Sequence, residues 1–465
     1  MIPRSARGVH QRPTTERPAA ARAECQIHRM RRYSAFLFLA AVLAAPPARA
    51  QEGRPAPGPV IDSGPPISVY LITMGQGDPY WARFGHNALW IRDRERGRDV
   101  AYNWGLFDFD EPGFLTRFLS GNTRYWMAGF DVWNMLQVYR FEKRTIEVQE
   151  LALSSDAARE LRDFVEWNEL PENRTYRYDY YRDNCSTRIR DALDRVLAGQ
   201  IRMATDTILS GRTYRWHTRR LLADHLSTYA GISLVLGRPA DRDISRWEEM
   251  FIPMAMRDHL RTLQISDGQG NLRPLITGEW RLFEANRAPE RAVPPSRTIP
   301  VLVFGVLTGA VIALLAWVGT GPRSRRAGRT AATTLIVMWS ALAGLAGIAA
   351  AGMWAFTHHV FMYANANVLQ FNPLSLALLG LMPFVTRARS ESRLAHHAAL
   401  AGLVILGLSV AGLIAQLIPA FRQSSAEVIA LALPIHAGVA AAVWRLAHVY
   451  SDQEKRTSRP SSADL

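Results

Sequence analysis

Two textures of hydrophobic residue divide the chain. From about residue 67 to 297 apolar positions come in short periodic sets, and from about 298 to 447 they run on in long blocks. In the first region Ile67-Ser68-Val69-Tyr70-Leu71-Ile72 predicts a strand. Ala88 to Arg92 and Val100 to Trp104 flank a charged turn around Arg94 to Gly97, which predicts a hairpin. Val138 to Phe141 and Thr145 to Val148 predict further strands. Ala158, Leu161, Phe164, Val165 and Leu170 fall on one face of a helix over 155–170. Ile189, Leu193, Val196 and Leu197 do the same for a helix ending at Gly199, and residues 212–232 carry a mostly helical, Arg-rich pattern. Together these predict an α+β domain over 67–297.

The apolar blocks predict an all-α transmembrane domain of about five helices over 298–447. Ile299 to Val318 is long enough to cross a bilayer. Further spans cover about 332–355, 366–386 (interrupted by Asn372-Pro373), 398–420 and 426–447. Arg323, Arg325, Arg326 and Arg329 follow the first span, Arg387, Arg389 and Arg393 the third, and Lys455 and Arg456 lie in the tail over 448–465. Positively charged loops stay cytoplasmic, so five spans put residues 67–297 outside. The other end of the chain agrees. Arg31-Arg32, the apolar run Ala35 to Ala45 and the closing Ala48-Arg49-Ala50 have the form of a signal peptide cleaved after Ala50. Residues 1–50 are thus expected to be an upstream extension and signal peptide, with Met30 a natural start. Residues 51–66, rich in Pro and Gly, read as a linker.

The formal net charge is +14. Such a balance suits either nucleic acid or anionic lipid. Spans and an export signal select the lipid bilayer as partner and argue against nucleic acid. Of the two cysteines, Cys25 falls within the leader, which leaves Cys185 alone in the mature chain with no partner for an internal disulfide. No zinc-type Cys/His spacing occurs, and nothing calls for a metal or organic cofactor.

Cys185 sits in Tyr181-Arg182-Asp183-Asn184-Cys185-Ser186-Thr187-Arg188. With Asp183 or Asn184 as N-cap, the thiol lies in a first helical turn, where unpaired N–H groups favour thiolate. A buried cysteine serving as a small apolar residue is the competing reading, and its polar neighbours argue against it. A nucleophilic thiol needs a base. His86, His217, His225 and His259 are available, and His86 is preferred because Gly85-His86-Asn87 opens a strand. The group that orients the imidazole is expected to be Asn103, provided the hairpin turns near Arg96; Asn87, Tyr102 and Asp108 remain open. Asn184 is a candidate oxyanion donor beside the Cys185 N–H.

The order His then Cys, at a strand and at a helix N-terminus, resembles the circularly permuted papain-like fold. More specifically, Phe84-Gly85-His86-Asn87-Ala88-Leu89, Tyr102-Asn103-Trp104-Gly105-Leu106-Phe107-Asp108-Phe109 and Asp183 to Asp191 resemble the Lnb family of bacterial lipoprotein N-acyltransferases. Asn365 to Leu374 is similar to a motif of that family's membrane domain. The resemblance implies a bacterial inner-membrane protein with a periplasmic thiol domain. It further implies that Cys185 takes an acyl chain from a phospholipid donor as a thioester, with His86 as base. The chain then passes to the α-amino group of diacylated lipoproteins. Arg188, His358, His359, Asn367 and Asn372 are expected to contact substrate. Two rivals stand beside this: a membrane-anchored cysteine hydrolase of peptidoglycan peptides or lipid esters, and a non-catalytic assembly factor.

Overall fold

The computed structural model describes residues 64–267, 269–321, 325–386 and 392–457. The expected leader, and the expected linker as far as residue 63, lie outside them. Strands β1 (Ile67–Met74), β2 (His86–Asp93), β3 (Arg98–Leu106), β4 (Arg124–Asp131), β5 (Ile146–Leu151) and β6 (Thr175–Arg177) come first. Two short ribbons follow, β7 (Leu209–Thr213) with β8 (Asp243–Ser245) and β9 (Gln264–Ser266) with β10 (Leu272–Pro274), and β11 (Ile276–Phe283) is last. Seven strands form one antiparallel sheet in the order β11-β5-β1-β2-β3-β4-β6.

Strand alternation supplies both faces of that sheet with apolar side chains. Leu71, Leu89, Ile91, Tyr102 and Trp104 pack on the helices Ser155–Glu169 and Cys185–Val196. Ile72, Ala88, Trp90 and Ala101 pack on the helix Val132–Phe141. The last of these overturns one expectation, since residues 138–141 are helical. Val, Tyr and Phe favour strands locally. Here Asp131 caps the segment by accepting from the Asn134 N–H at 2.9 Å, and Val132, Met135 and Leu136 bury at helical spacing against the sheet. Packing overrides the local preference.

The membrane domain holds the helices Thr298–Gly319, Arg325–Phe356, Ala377–Thr386, Ser392–Ala415 and Ala426–Thr457. Glycine lets the first and last approach closely. A Cβ on Gly309 would lie 2.3 Å from the Pro434 carbonyl oxygen, so no larger residue fits without moving backbone. The third span departs from a plain helix. Ala366–Leu369 and Pro373–Leu376 form 3-10 turns, and among the described residues of this span the ten of Ala377–Thr386, about 15 Å or half of the hydrocarbon core, are α-helical. Irregular backbone at that depth is tolerated where protein buries it, and Asn367, Gln370, Asn372 and Ser375 are all buried.

The two domains meet at the outer loops. The His358 N–H donates to the Ser120 carbonyl at 2.8 Å, Gly237 N–H to Phe361 at 2.8 Å, and Arg219 to Ser424 at 3.0 Å. Phe361 is wholly buried among Tyr181, Tyr214 and Phe251 of the soluble domain. The soluble domain therefore rests on the loops after the second and fourth spans. Arg215 fastens this joint. It is fully buried, pairs with Asp241 at 2.8 and 2.9 Å, and donates to the carbonyls of Ser233, Leu236 and Gly237. Arg215→Met would leave the buried Asp241 carboxylate unpaired, at a cost of about 3–5 kcal/mol. A thermal melt of the purified protein should fall by several degrees, and an unchanged melt would refute that role.

Candidate functional site

The site is built where the ends of β2 and β3 meet the N-terminus of the cysteine helix. Asn184 caps that helix. Its Oδ1 accepts from the N–H groups of Ser186 and Thr187, each at 2.9 Å, and the Thr187 hydroxyl accepts from the Asn184 N–H at 2.8 Å. The Asn184 amide nitrogen donates to the carbonyls of Phe251 at 2.9 Å and Tyr180 at 3.2 Å. Both ends of the side chain are thus committed, which corrects the expectation that Asn184 donates to an oxyanion. It holds the helix start in place instead.

His86 begins β2, directly after Gly85 at φ +82°, a left-handed conformation that suits glycine. A Cβ at Gly85 would also collide with the Met254 sulfur at 2.5 Å. The β2–β3 register pairs Ala88 with Asn103, so Asn103 and His86 share a face of the sheet, two residues apart along the ladder. Asn103 Oδ1 lies 3.0 Å from His86 Nε2. The Asn103 amide nitrogen donates to the Ala101 carbonyl at 3.0 Å, which fixes the oxygen as the end facing the imidazole. Nε2 must then carry the proton, and Nδ1 is left as the basic nitrogen.

The β2–β3 ladder ends at the Ala88–Asn103 pair, and Gly105, two residues further along β3 at φ +89°, lies where the β3–β4 register shifts. A Cβ at Gly105 would sit at ordinary contact distance, 3.7 Å, from the Cys185 Cβ, so the helix start rests directly against this position of the strand. Neighbouring side chains lock the junction. The Asn87 amide donates to the Ser186 hydroxyl at 3.1 Å, and that hydroxyl donates to the Met250 carbonyl at 2.6 Å. The backbone N–H of Asn87 is also directed at the Cys185 sulfur, together with those of Cys185 and Ser186. His86 and Cys185 are therefore brought together by the residues that follow each of them.

Electrostatics here differ from the sequence expectation. Burial pushes the Cys185 thiol up, and it outweighs the three N–H groups and the Arg144 charge, which act the other way. The resting sulfur is a thiol, not the thiolate expected from its place in the first turn. Burial and then Arg144 hold the His86 imidazole down, at about 4, against a smaller upward pull from Asn103. At neutral pH the pair is thus uncharged, and His86 is free to accept a proton.

Two residues that the sequence did not single out complete the surroundings. Tyr139 stacks on His86 with ring centroids 6.0 Å apart, and the Arg144 guanidinium lies over the other ring partner, 4.8 Å from the Tyr139 centroid. Arg144 is buried and donates to the Gly75 carbonyl at 2.8 Å. Tyr139 lies in the segment expected to be a strand, and nothing local distinguishes Arg144 from the many surface arginines. Removing that charge by Arg144→Gln should let the His86 pKa rise towards its ordinary value. The acid limb of any His86-dependent activity should then move to higher pH. A pH–rate profile that stays in place would exclude the effect.

The remaining expected site residues lie elsewhere or are already engaged. Arg188 is ion-paired with Asp183, its second nitrogen at 2.7 Å, and covers the Tyr176 ring. His359 is buried, with Nε2 at 2.9 Å from the Phe118 carbonyl, while His358 is exposed. The Asn367 amide donates to the carbonyls of Ser233 and Leu234, and Asn365 to those of Leu234 and Val235. Asn372 is buried, its amide 3.5 Å from the Leu369 carbonyl. Arg188, His359 and Asn367 thus join structural elements rather than present free groups. His217 and His259 both face Glu249, at 2.9 and 2.8 Å, and His225 precedes the helix Leu226–Val235, whereas the neighbour of His86, Asn87, bonds to the neighbour of Cys185, Ser186. Among the described residues, no group of three or more His, Cys, Asp or Glu is arranged to hold a metal.

Comparison with known families agrees with this division of the chain. Residues 64–225 match the family model described as the Lnb N-terminal periplasmic domain, and residues 295–444 match the one described as the Lnb transmembrane domain. No match was found among curated proteins or solved structures. Among the described residues, five apolar segments are long enough to cross a bilayer, four within the second match and the fifth, Ala426–His448, running four residues beyond it. The protein is accordingly a multi-pass inner-membrane protein whose N-terminal domain is periplasmic.

Proposed function

The chain belongs to the Lnb family, which makes it a membrane-anchored periplasmic enzyme, and on that premise we propose that it is a lipoprotein N-acyltransferase working through a Cys185 thioester. The observation that supports this most is the Asn87–Ser186 bond, which ties the helix N-terminus carrying the thiol to the strand end carrying an imidazole whose Nε2 is held by Asn103. His86 Nδ1 takes the thiol proton as sulfur attacks the carbonyl carbon of a glycerolipid ester. The N–H groups of Asn87 and Cys185 that converge on the sulfur are the donors at hand for the oxyanion. As the C–O bond breaks, the imidazolium returns its proton to the departing glycerol oxygen, leaving the acyl group on sulfur. The α-amino group of a diacylglyceryl cysteine then attacks the thioester. His86 takes the amine proton, the C–S bond breaks, and sulfur leaves as thiol once that proton comes back.

Hydrolysis uses the same acyl-enzyme with water as acceptor. The membrane domain favours the amine, because donor and acceptor chains both lie in the bilayer that it occupies. A substrate held in line competes at an effective concentration far above that of an untethered one. Mass spectrometry of a lipoprotein's N-terminal peptide, from cells with and without this protein, separates the readings. An acyl chain in amide linkage on the cysteine nitrogen, present only with the protein, supports transfer. A free α-amino group in both samples overturns it and leaves hydrolysis or a non-catalytic role.

A further inference from the structure

One apolar surface of the soluble domain is not accounted for by packing. The helix Phe114–Ser120 buries none of its residues fully, and Leu115, Phe118 and Leu119 are 66%, 46% and 51% exposed. Phe109 in the preceding loop and Tyr80 and Trp81 in the 3-10 turn Tyr80–Phe84 are also about half exposed. Large contiguous apolar patches on a protein surface mark a partner or a membrane. Arg117, the helix's single charged residue, is tied back to Glu111 at 2.8 Å and to the Pro112 carbonyl at 2.9 Å.

Its position fixes the occupant. The end of this helix is joined to the residues that leave the second span. Ser120 and Phe118 accept from His358 and His359, and a Cβ on Gly121 would lie 2.9 Å from the His358–His359 backbone. Phe356, the last residue of that span, is 87% exposed and so belongs to the lipid-facing belt. The patch is therefore continuous with the outer rim of the membrane domain, at the depth where aromatic and leucine side chains partition from water into the interface.

It also leads to the sulfur. Trp81 meets Phe109 at 5.8 Å between ring centroids, Phe109 meets Phe107 at 4.8 Å, Phe107 stacks on Tyr125 at 4.9 Å, and Tyr125 stacks on Tyr178 at 4.2 Å. Tyr178 and Cys185 both border the same face of Gly105. A lane of contacting aromatic rings, with Tyr125 buried and Phe107 and Tyr178 packed against the core, thus runs from the exposed patch to the residues that border the thiol.

We propose that the helix Phe114–Ser120 and the Tyr80–Phe84 turn form a lip that enters the outer leaflet and guides a lipid acyl chain along this lane to Cys185. Insertion stands on the surface alone, whereas guidance rests on the acyl-transfer reading, and two measurements keep them apart. For insertion, the full chain carrying Cys25→Ser, Cys185→Ala and Leu119→Cys is labelled with an environment-sensitive fluorophore and reconstituted in nanodiscs. Nitroxide-bearing phospholipid should quench the label at 119, and aqueous iodide should not. A label at Leu272→Cys, on the β9–β10 ribbon, should behave in the opposite way. Equal iodide quenching at both positions would overturn the lip.

For guidance, Leu115→Asp with Leu119→Asp is made in the chain that retains Cys185. Labelling of Cys185 by a thiol-reactive probe on a hexadecyl chain should fall about tenfold or more, the scale set by losing one leucine-sized apolar contact. Labelling by a small water-soluble electrophile should keep the parental rate, which shows that the site still folds. Unchanged labelling by the hexadecyl probe would overturn guidance. Should neither probe label Cys185 in the parental chain, the thioester chemistry fails, and the quenching result still decides insertion.

Discussion

Cys185→Ala should reduce N-acylation of lipoproteins by roughly 10^4-fold or more, the scale on which deleting a covalent nucleophile acts. Protein level and membrane insertion should persist. The cysteine is half-buried at the head of a helix held by the Asn184 cap, and alanine keeps every one of those capping bonds. The helix packs through Ile189 and Leu193, which the substitution does not touch. An acylated N-terminus at parental abundance in this variant would eliminate covalent catalysis by sulfur, whatever else the protein did.

His86→Ala should cost roughly 10^2 to 10^4-fold, the usual range for removing a general base. The loss follows from the state of the sulfur. Because burial holds the Cys185 proton on, attack requires a base to remove it, and the three N–H groups around the sulfur do not suffice. The pH dependence has a definite sign. His86 must be neutral to accept the proton, and its pKa lies at about 4 in the fold, below the ordinary 6.5. Activity of the parental enzyme should therefore be retained well below pH 6.5 and should fail as pH drops through about 4. The same shift contributes stability that is complete above pH 6.5 and is lost as pH falls towards 4, because the unfolded chain then binds the proton more readily. Alkylation of Cys185 by iodoacetamide should rise only at pH above the ordinary thiol range, because burial pushes the thiol up. A plateau beginning near pH 5 would mean a pre-formed thiolate–imidazolium pair and would contradict this account.

Much of the site could be read from residue types. A lone cysteine ahead of an amphipathic helix, with Asn beside it, has the form of a capped N-terminus. A strand opening on Gly85-His86-Asn87 places an imidazole at a strand end, and the hairpin's charged turn sets the register that aligns Asn103 with it. Both inferences rest on short-range rules. The thiol's protonation state was not legible in the same way. It depends on how much protein surrounds the sulfur, a long-range quantity contributed by β2, β3 and the Tyr176–Tyr178 segment together. The helix Val132–Phe141 was missed for a related reason. Its residues favour a strand in isolation, and only burial against the sheet's second face makes them helical. With that helix misread, Tyr139 could not be placed against His86.

The membrane domain divides similarly. Its apolar runs are long enough to declare themselves, and the interruption at Asn372-Pro373 is visible. What sequence could not convey is that Asn365 and Asn367 spend their amides on the backbone of 233–235, bonding across the domain boundary. Polar residues near a membrane invite a substrate role, and here they hold a broken span against a soluble domain.

One measurement addresses the central claim directly. The purified enzyme is mixed with glycerolipid, quenched in acid and digested with trypsin, and the Asp183–Arg188 peptide is weighed. The account predicts an added fatty acyl mass on this peptide that neutral hydroxylamine removes, and that vanishes when a diacylated lipopeptide is supplied as acceptor. Acyl transfer to that lipopeptide with no adduct ever seen on Cys185, or with an equal rate in the Cys185→Ala chain, would contradict it.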